Sequence, residues 1–318
     1  MTTLSRPTLL PGLRPLWRHQ HAVQLGTDPA QAVVLELPHP AAAKLLDLLD
    51  GSRTERVIIG EMSRIGMAEQ DVVSTLASLA EAGLVVPANT LLPTALAAEE
   101  RRRIIPEAAA IAVRFRDRPA SPAVILRRRQ RAKIIITGDG SIADHVTTAL
   151  RDAGVGIVTK ATVAEATAAR GEHVFVVHIG LVRPVRSKLP HLAVSVRDGV
   201  AIVGPLVPAA AGPCLCCLDL HRTDRDPVWP RLAEQLSSDG PAHAPCPSAT
   251  AMTAAGFAAA EILAYLDGAQ PSAIGVTVEI SGTAPWRRRT WTPHPQCGCT
   301  RRRRRTFTPS PPERPLGQ

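Results

Sequence analysis

Two compact cysteine pairs, Cys214-Leu-Cys-Cys217 and Cys297-Gly-Cys299, constrain this chain more than any other feature. Each pair can present two thiolates from one turn, and four such sulfurs suit a soft tetrahedral cation such as zinc. The pairs are distant in sequence, so one ion held by both would fasten the end of a folded domain to its middle. Four protein ligands leave no open position for water or substrate, which makes the expected ion a structural zinc. The first pair leaves a choice open, because Cys216 can replace either Cys214 or Cys217 in the shell. Cys246, alone after Pro245, reads as a small buried hydrophobe or a reactive thiol. Disulfides are the competing use of these cysteines, but the opening residues Met1 to Pro7 lack the apolar core of a secretory signal. The expected location is cytoplasmic, where cysteine pairs more often mean metal or redox chemistry than bridges.

A chain of 318 residues with 45% hydrophobic content has room for two cores. Its apolar runs are short, none approaching eighteen uninterrupted residues, so no membrane span is expected. The formal charge of +9 suggests nucleic acid until its distribution is considered. Beyond Cys299 the chain holds Arg301 to Arg305 and Arg314 against Glu313 alone, more than half of the excess. With Pro309, Pro311, Pro312 and Pro315, residues 300–318 read as a disordered Arg/Pro-rich tail, with no specific nucleic-acid role.

Along the chain, a proline-rich lead-in precedes strand candidates His21 to Gly26 and Ala32 to Leu37 around the turn residues Thr27, Asp28 and Pro29. Three helical patterns follow: Leu45, Leu46 and Leu49, opened by Pro40 and closed by Gly51; Ile58, Met62 and Ile65, closed by Gly66; and Val72, Leu76 and Leu79, closed by Gly83. A strand is expected at Leu84 to Val86. This order over residues 1–90 is that of a winged-helix module. The third helix carries Glu69, Asp71 and Glu81 and no lysine or arginine, so phosphates would repel it and DNA reading is not expected. The groove between that helix and the Leu84 to Val86 strand suits an extended peptide added as a strand. Residues 91–131, proline-spotted and partly helical, read as a linker.

From Lys133 the pattern alternates. Lys133 to Ile136 is a buried-strand run, Ile142, Val146 and Leu150 mark one helix face, and a strand is expected at Val155 to Val158. Such a βαβ unit implies a right-handed crossover and a parallel sheet. Arg197, Asp198 and Gly199 form a hairpin turn, which makes part of the sheet antiparallel. Between the first strand and helix, Gly138, Gly140 and Ala143 stand where a phosphate-cradling loop would. Asp139 puts a carboxylate into that loop, and Thr159 and Lys160 stand where an acidic ribose hook belongs.

The stretch Gly138 to Ala143, Val203 to Pro208 before Cys214, the helix Ala260 to Gly268 and the closing Cys297/Cys299 pair resemble the ThiF/E1-like adenylyltransferase family. Gly212 to Arg222, with His294 to Cys299, is more similar still to the short ThiF-like proteins of thiazole/oxazole-modified peptide biosynthesis, in which a winged-helix element precedes the E1-like domain. The resemblance implies a Rossmann-like mixed α/β domain over residues 132–299, zinc on Cys214, Cys217, Cys297 and Cys299, and an N-terminal element that captures a precursor's leader peptide for a YcaO-type cyclodehydratase. Homodimers are usual in such families. Where family members carry an aspartate for magnesium, this chain has Gly180, Leu181, Val182 and Arg183, so Mg-ATP is not expected to be held in the usual way. The expectation is a non-catalytic scaffold, with an active adenylyltransferase of a peptide or sulfur-carrier carboxylate as the alternative.

Overall fold

The computed structural model describes residues 4–19, 21–29, 32–37, 42–94, 96–115, 120–181, 187–209, 212–238 and 245–299. Pro40, Val182, Arg183 and the 300–318 tail lie outside them. The chain divides into two compact units, Met1–Arg128 and Arg129–Gln318.

The first unit holds strands β1 (Pro7–Leu9), β2 (Pro15–His19), β3 (Ala22–Leu25) and β4 (Val33–Glu36), helices α1 (Ala42–Leu48), α2 (Glu55–Arg64) and α3 (Glu69–Glu81), then β5 (Val85–Pro87). Two strands, β1 and β2, come from the lead-in, where proline content hid them. The sheet β2-β3-β4 is antiparallel throughout, and β5 takes β1 as antiparallel partner. The strand expected to take a peptide, β5, thus has β1 along one edge. Helical spacing turns Leu45, Ile58, Met62, Val72, Leu76 and Leu79 inward onto Val23 and Leu25 in one core. At the end of α3, Gly83 adopts φ +66°, its amide bonds Ala80 O at 2.9 Å and that of Leu84 bonds Leu79 O at 2.9 Å. This Schellman closure uses Leu84 as the helix's last apolar contact, so the strand starts at Val85. The expected linker stretch contains α4 (Ala98–Arg114) and α5 (Pro122–Arg131).

The second unit is built on a seven-stranded mixed sheet in the order β12-β11-β10-β9-β8-β6-β7. Its strands are β6 (Lys133–Thr137), β7 (Ile157–Lys160), β8 (Val174–Ile179), β9 (His191–Arg197), β10 (Val200–Val207), β11 (Val276–Ile280) and β12 (Arg287–Thr290). Strands β7, β6, β8 and β9 run parallel, and β9 to β12 antiparallel. Asp198 (φ 50°) and Gly199 (φ 82°) make the β9–β10 turn, both in the left-handed region that a two-residue hairpin demands. Helices α6 (Ser141–Asp152), α7 (Val163–Ala168), α8 (Leu215–Arg225), α9 (Trp229–Ser238) and α10 (Ser248–Leu266) complete the unit.

Strand alternation sorts the cores. Ile134, Ile136, Phe175 and Val177 pack in the large cluster with α6 and α10, whereas Ile135, Val174 and Val176 pack with Ala166 of α7. Along α10, Ala251, Ala254, Ala255, Ala258 and Ala259 are all buried, small side chains that allow close packing. With 19 residues and a mean hydropathy of 1.4 the helix is long and apolar enough to cross a bilayer, but half of that stretch is buried within the protein. The second strand of the βαβ unit begins at Ile157, not Val155. Gly154 is left-handed and the Val155 amide bonds Leu150 O at 3.0 Å, so Val155 closes α6 as Leu84 closes α3.

Candidate metal centre

Cys214 is the N-cap of α8, and the first turn brings Cys217 beneath it, with the Cys217 amide on Cys214 O at 2.9 Å. After β12 the chain turns at Pro293 and His294, and the Cys297 amide bonds His294 O at 2.9 Å. These two turns meet. Cys214 Sγ lies 3.8 Å from Cys217 Sγ and 3.6 Å from Cys297 Sγ, and Cys217 Sγ lies 3.3 Å from Cys299 Sγ. All four sulfurs fall within 4.8 Å of one another. A tetrahedral shell with zinc–sulfur bonds of about 2.3 Å sets its sulfurs about 3.8 Å apart, so the donor set fits zinc by number, chemistry and spacing. No sulfur pair among the described residues is bridged.

Electrostatics point the same way. The Cys216 side-chain hydrogen bond, with the Cys217 amide, pulls Cys214 down to about 4, so one sulfur ionises readily. Burial pushes Cys217 and Cys299 up. Four crowded thiols cannot all become thiolates on their own, and a bound dication removes that obstacle. Cys216 stands outside the cluster of four and serves Cys214 as a hydrogen-bonding neighbour. Cys246 packs against the large core, and burial raises its thiol instead of activating it, despite its place before α10.

Around the sulfurs runs a brace of His221 and Asp224 from α8 with His294. Cys217, His221 and Asp224 follow helical spacing on α8, a signal that was there to be read. His294 Nε2 lies 2.9 Å from Asp224 Oδ2, its Nδ1 accepts the Gln296 amide at 3.2 Å, and its backbone amide donates to the Cys217 sulfur. His221 Nε2 bonds Thr292 O at 2.9 Å, with its ring 4.8 Å from that of His294. His221, Asp224 and His294 also lie close enough together to suggest a second ion. Yet both His294 nitrogens are engaged in hydrogen bonds and His221 must carry a proton toward a carbonyl, so this trio ties the two cysteine turns together.

The glycine loop is placed as expected between β6 and α6. Gly138 (φ 87°) and Gly140 (φ 97°) are left-handed, and Ala143 is fully buried. Gly138 is packed so tightly against the Ile179 carbonyl that a side chain there would collide with it. Lys160 reaches Asp144 at 2.9 Å and Asp139 at 3.5 Å, so exposed ion pairs lie beside the loop. After β8 the chain offers Gly180 and Leu181, with no carboxylate for a metal.

No protein-family model matches this chain, and no curated protein matches it in sequence. Solved structures do match in fold. The heterocyclase TruD has 18% identity and a TM-score of 0.63 over 97% of this chain and 45% of its own. A heterocyclase in complex with substrate and cofactor has 20% identity and a TM-score of 0.65 over 98% and 42%. E. coli MccB with AMPCPP and MccA has 13% identity and a TM-score of 0.60 over 92% and 98%. The chain thus spans less than half of the two heterocyclase chains and nearly all of MccB. It shares the fold of these two heterocyclase chains and of E. coli MccB.

Proposed function

We propose that this protein is a non-catalytic leader-peptide-binding scaffold in ribosomal peptide modification of the thiazole/oxazole type. The observation that carries the reading is the fold likeness itself, which runs over nearly the whole chain to heterocyclases and to MccB with MccA. In this reading the first unit is a winged-helix peptide-recognition module, and the second holds structural zinc on Cys214, Cys217, Cys297 and Cys299 and docks a YcaO-type cyclodehydratase. The working form is a cytoplasmic homodimer.

The peptide adds as a strand to β4. That strand pairs with β3 alone among the described residues, in unbroken register from Val33 to Glu36. Its Val34 is exposed while Val33 and Leu35 pack on the core. The opposite edge, β2, is interrupted by a bulge between Trp17 and His19, a feature that discourages pairing. An edge strand without such a guard is a template for an incoming chain.

The test uses the full chain and precursor peptides encoded beside its gene. Saturable binding that is abolished when the peptide's backbone amides are N-methylated is expected. Binding indifferent to N-methylation rules out strand addition.

The likeness to E. coli MccB at nearly equal chain length supports the alternative, an active adenylyltransferase. ATP–pyrophosphate exchange by the purified protein decides between them. The ion pairs beside the glycine loop and the missing carboxylate after β8 favour no exchange.

A further inference from the structure

Alternation in β9, β10 and β11 sends Val194, Val203 and Val278 into the core beneath α6 and α10. Their neighbours Ser195, Arg197, Ile202, Thr277 and Glu279 take the opposite face of the sheet. On that face α8 and α9 leave a groove. One end mixes apolar and polar side chains, with Ala193, Leu215 and Leu218 beside Ser195, Asp219 and Glu234. The other end gathers Arg197, Arg222, Arg225 and Arg289. Ile202, Arg222 and Trp229 belong to both.

The guanidiniums are held by tryptophans. Arg222 lies 5.0 Å over Trp229, and Arg225 and Arg289 lie 5.7 and 5.4 Å from Trp291. Stacking uses the flat face of a guanidinium and leaves its in-plane N–H donors for another partner. Among the described residues none of the four makes an ion pair. The carboxylates nearby are engaged elsewhere: Asp219 accepts the Trp229 indole N–H at 2.6 Å, Asp226 accepts the Val228 amide at 3.0 Å, and Glu279 faces Arg287 at 3.5 Å. Arg222 is half-buried, and burial together with the charges of Arg197, Arg289 and Arg225 pushes it below the ordinary arginine range, with Asp219 pulling the other way. Four converging cations, one of them partly desolvated and only partly offset by Asp219, are unfavourable in the free protein, and a bound anion relieves them.

We propose that this end of the groove binds the carboxylates of an acidic peptide segment, whose apolar neighbours rest on Ala193, Leu215 and Leu218 at the other end. Asp226 and Glu279 in the same wall repel the concentrated charge of a polyphosphate more than the spaced single charges of carboxylates. Both tryptophans already carry guanidiniums on their faces, which disfavours stacked bases. The site lies wholly within the second unit and is independent of strand addition to β4.

The test titrates the full chain, at 0.15 M salt, with a labelled peptide of alternating glutamate and leucine, reading anisotropy and tryptophan emission. Saturable binding is expected, weakened tenfold or more in Arg222→Gln and in the exposed-site variants Arg225→Gln and Arg289→Gln. Replacing Arg101, Arg102 and Arg103 together by Gln leaves it unchanged. Free Arg222→Gln is expected to melt no lower than the parent, because an unneutralised charge has been removed. Equal binding by the parent and all three groove variants overturns the proposal, as does binding lost only where folding is lost. Tripolyphosphate or a short RNA displacing the peptide from the same arginines at lower concentration overturns the assignment to carboxylates.

Discussion

Replacing Asp267 by Asn tests how the second unit is tied together. Asp267 caps α10 and accepts two bonds from Arg129, Nε to Oδ1 at 2.8 Å and Nη2 to Oδ2 at 2.7 Å, while Arg129 Nη1 bonds Ala153 O at 3.0 Å. The side chains are 4% and 1% exposed. Asn keeps the shape but removes the charge, leaving a buried guanidinium without its counter-ion, which costs about 3–5 kcal/mol. With a urea slope of about 2 kcal/mol per molar, the unfolding midpoint falls by about 1.5 to 2.5 M. Tryptophan emission is the readout, since Trp229, Trp286 and Trp291 all lie in this unit. The double replacement Arg129→Met with Asp267→Leu removes both charges and their desolvation, and it returns most of the loss. A midpoint shift in Asp267→Asn below about 0.5 M would refute the reasoning, because the pair would then be contributing no more than an exposed one.

Three further outcomes follow from the geometry. Cys217→Ser or Cys297→Ser drops bound zinc from one ion per chain to none and lowers the melting temperature, as does chelation of the parent; elemental analysis and calorimetry check both. His178, buried beside Thr137 and His191, is held down to about 4, mainly by burial and then by His191. Its neutral form is native, so the stability it confers is present above its unfolded value and is lost as pH falls from 6.5 toward 4, about 2 kcal/mol by pH 5. Urea midpoints at pH 7 and pH 5 should differ more in the parent than in His178→Asn. Gly138→Ala strains a left-handed position against the Ile179 carbonyl and costs about 1–3 kcal/mol, read by the same unfolding curve.

The sequence carried the cluster of four cysteines because pairs at turn spacing have few other uses in a chain of this kind. It carried the helices of the first unit because Ile58/Met62 and Val72/Leu76/Leu79 keep strict helical spacing. Two strand starts were misplaced for one shared reason. Leu84 and Val155 each follow a left-handed glycine and look like the beginning of a strand, yet both are spent closing the helix before them. Strands β1 and β2 were hidden because Pro7 and Pro15 each stand as the first strand residue, where the missing amide costs nothing. The brace of His221, Asp224 and His294 and the arginine groove were harder to read. Each joins α8 to chain beyond β11, and only the fold shows that those segments meet.

The central claim is that the chain grips a peptide without activating it. The most direct measurement is a titration of the full-length protein with its precursor peptide, with and without Mg-ATP, followed by mass analysis of the peptide. The account predicts saturable binding of the same affinity in both conditions and a peptide of unchanged mass. Adenylated peptide, or no binding without nucleotide, would contradict it.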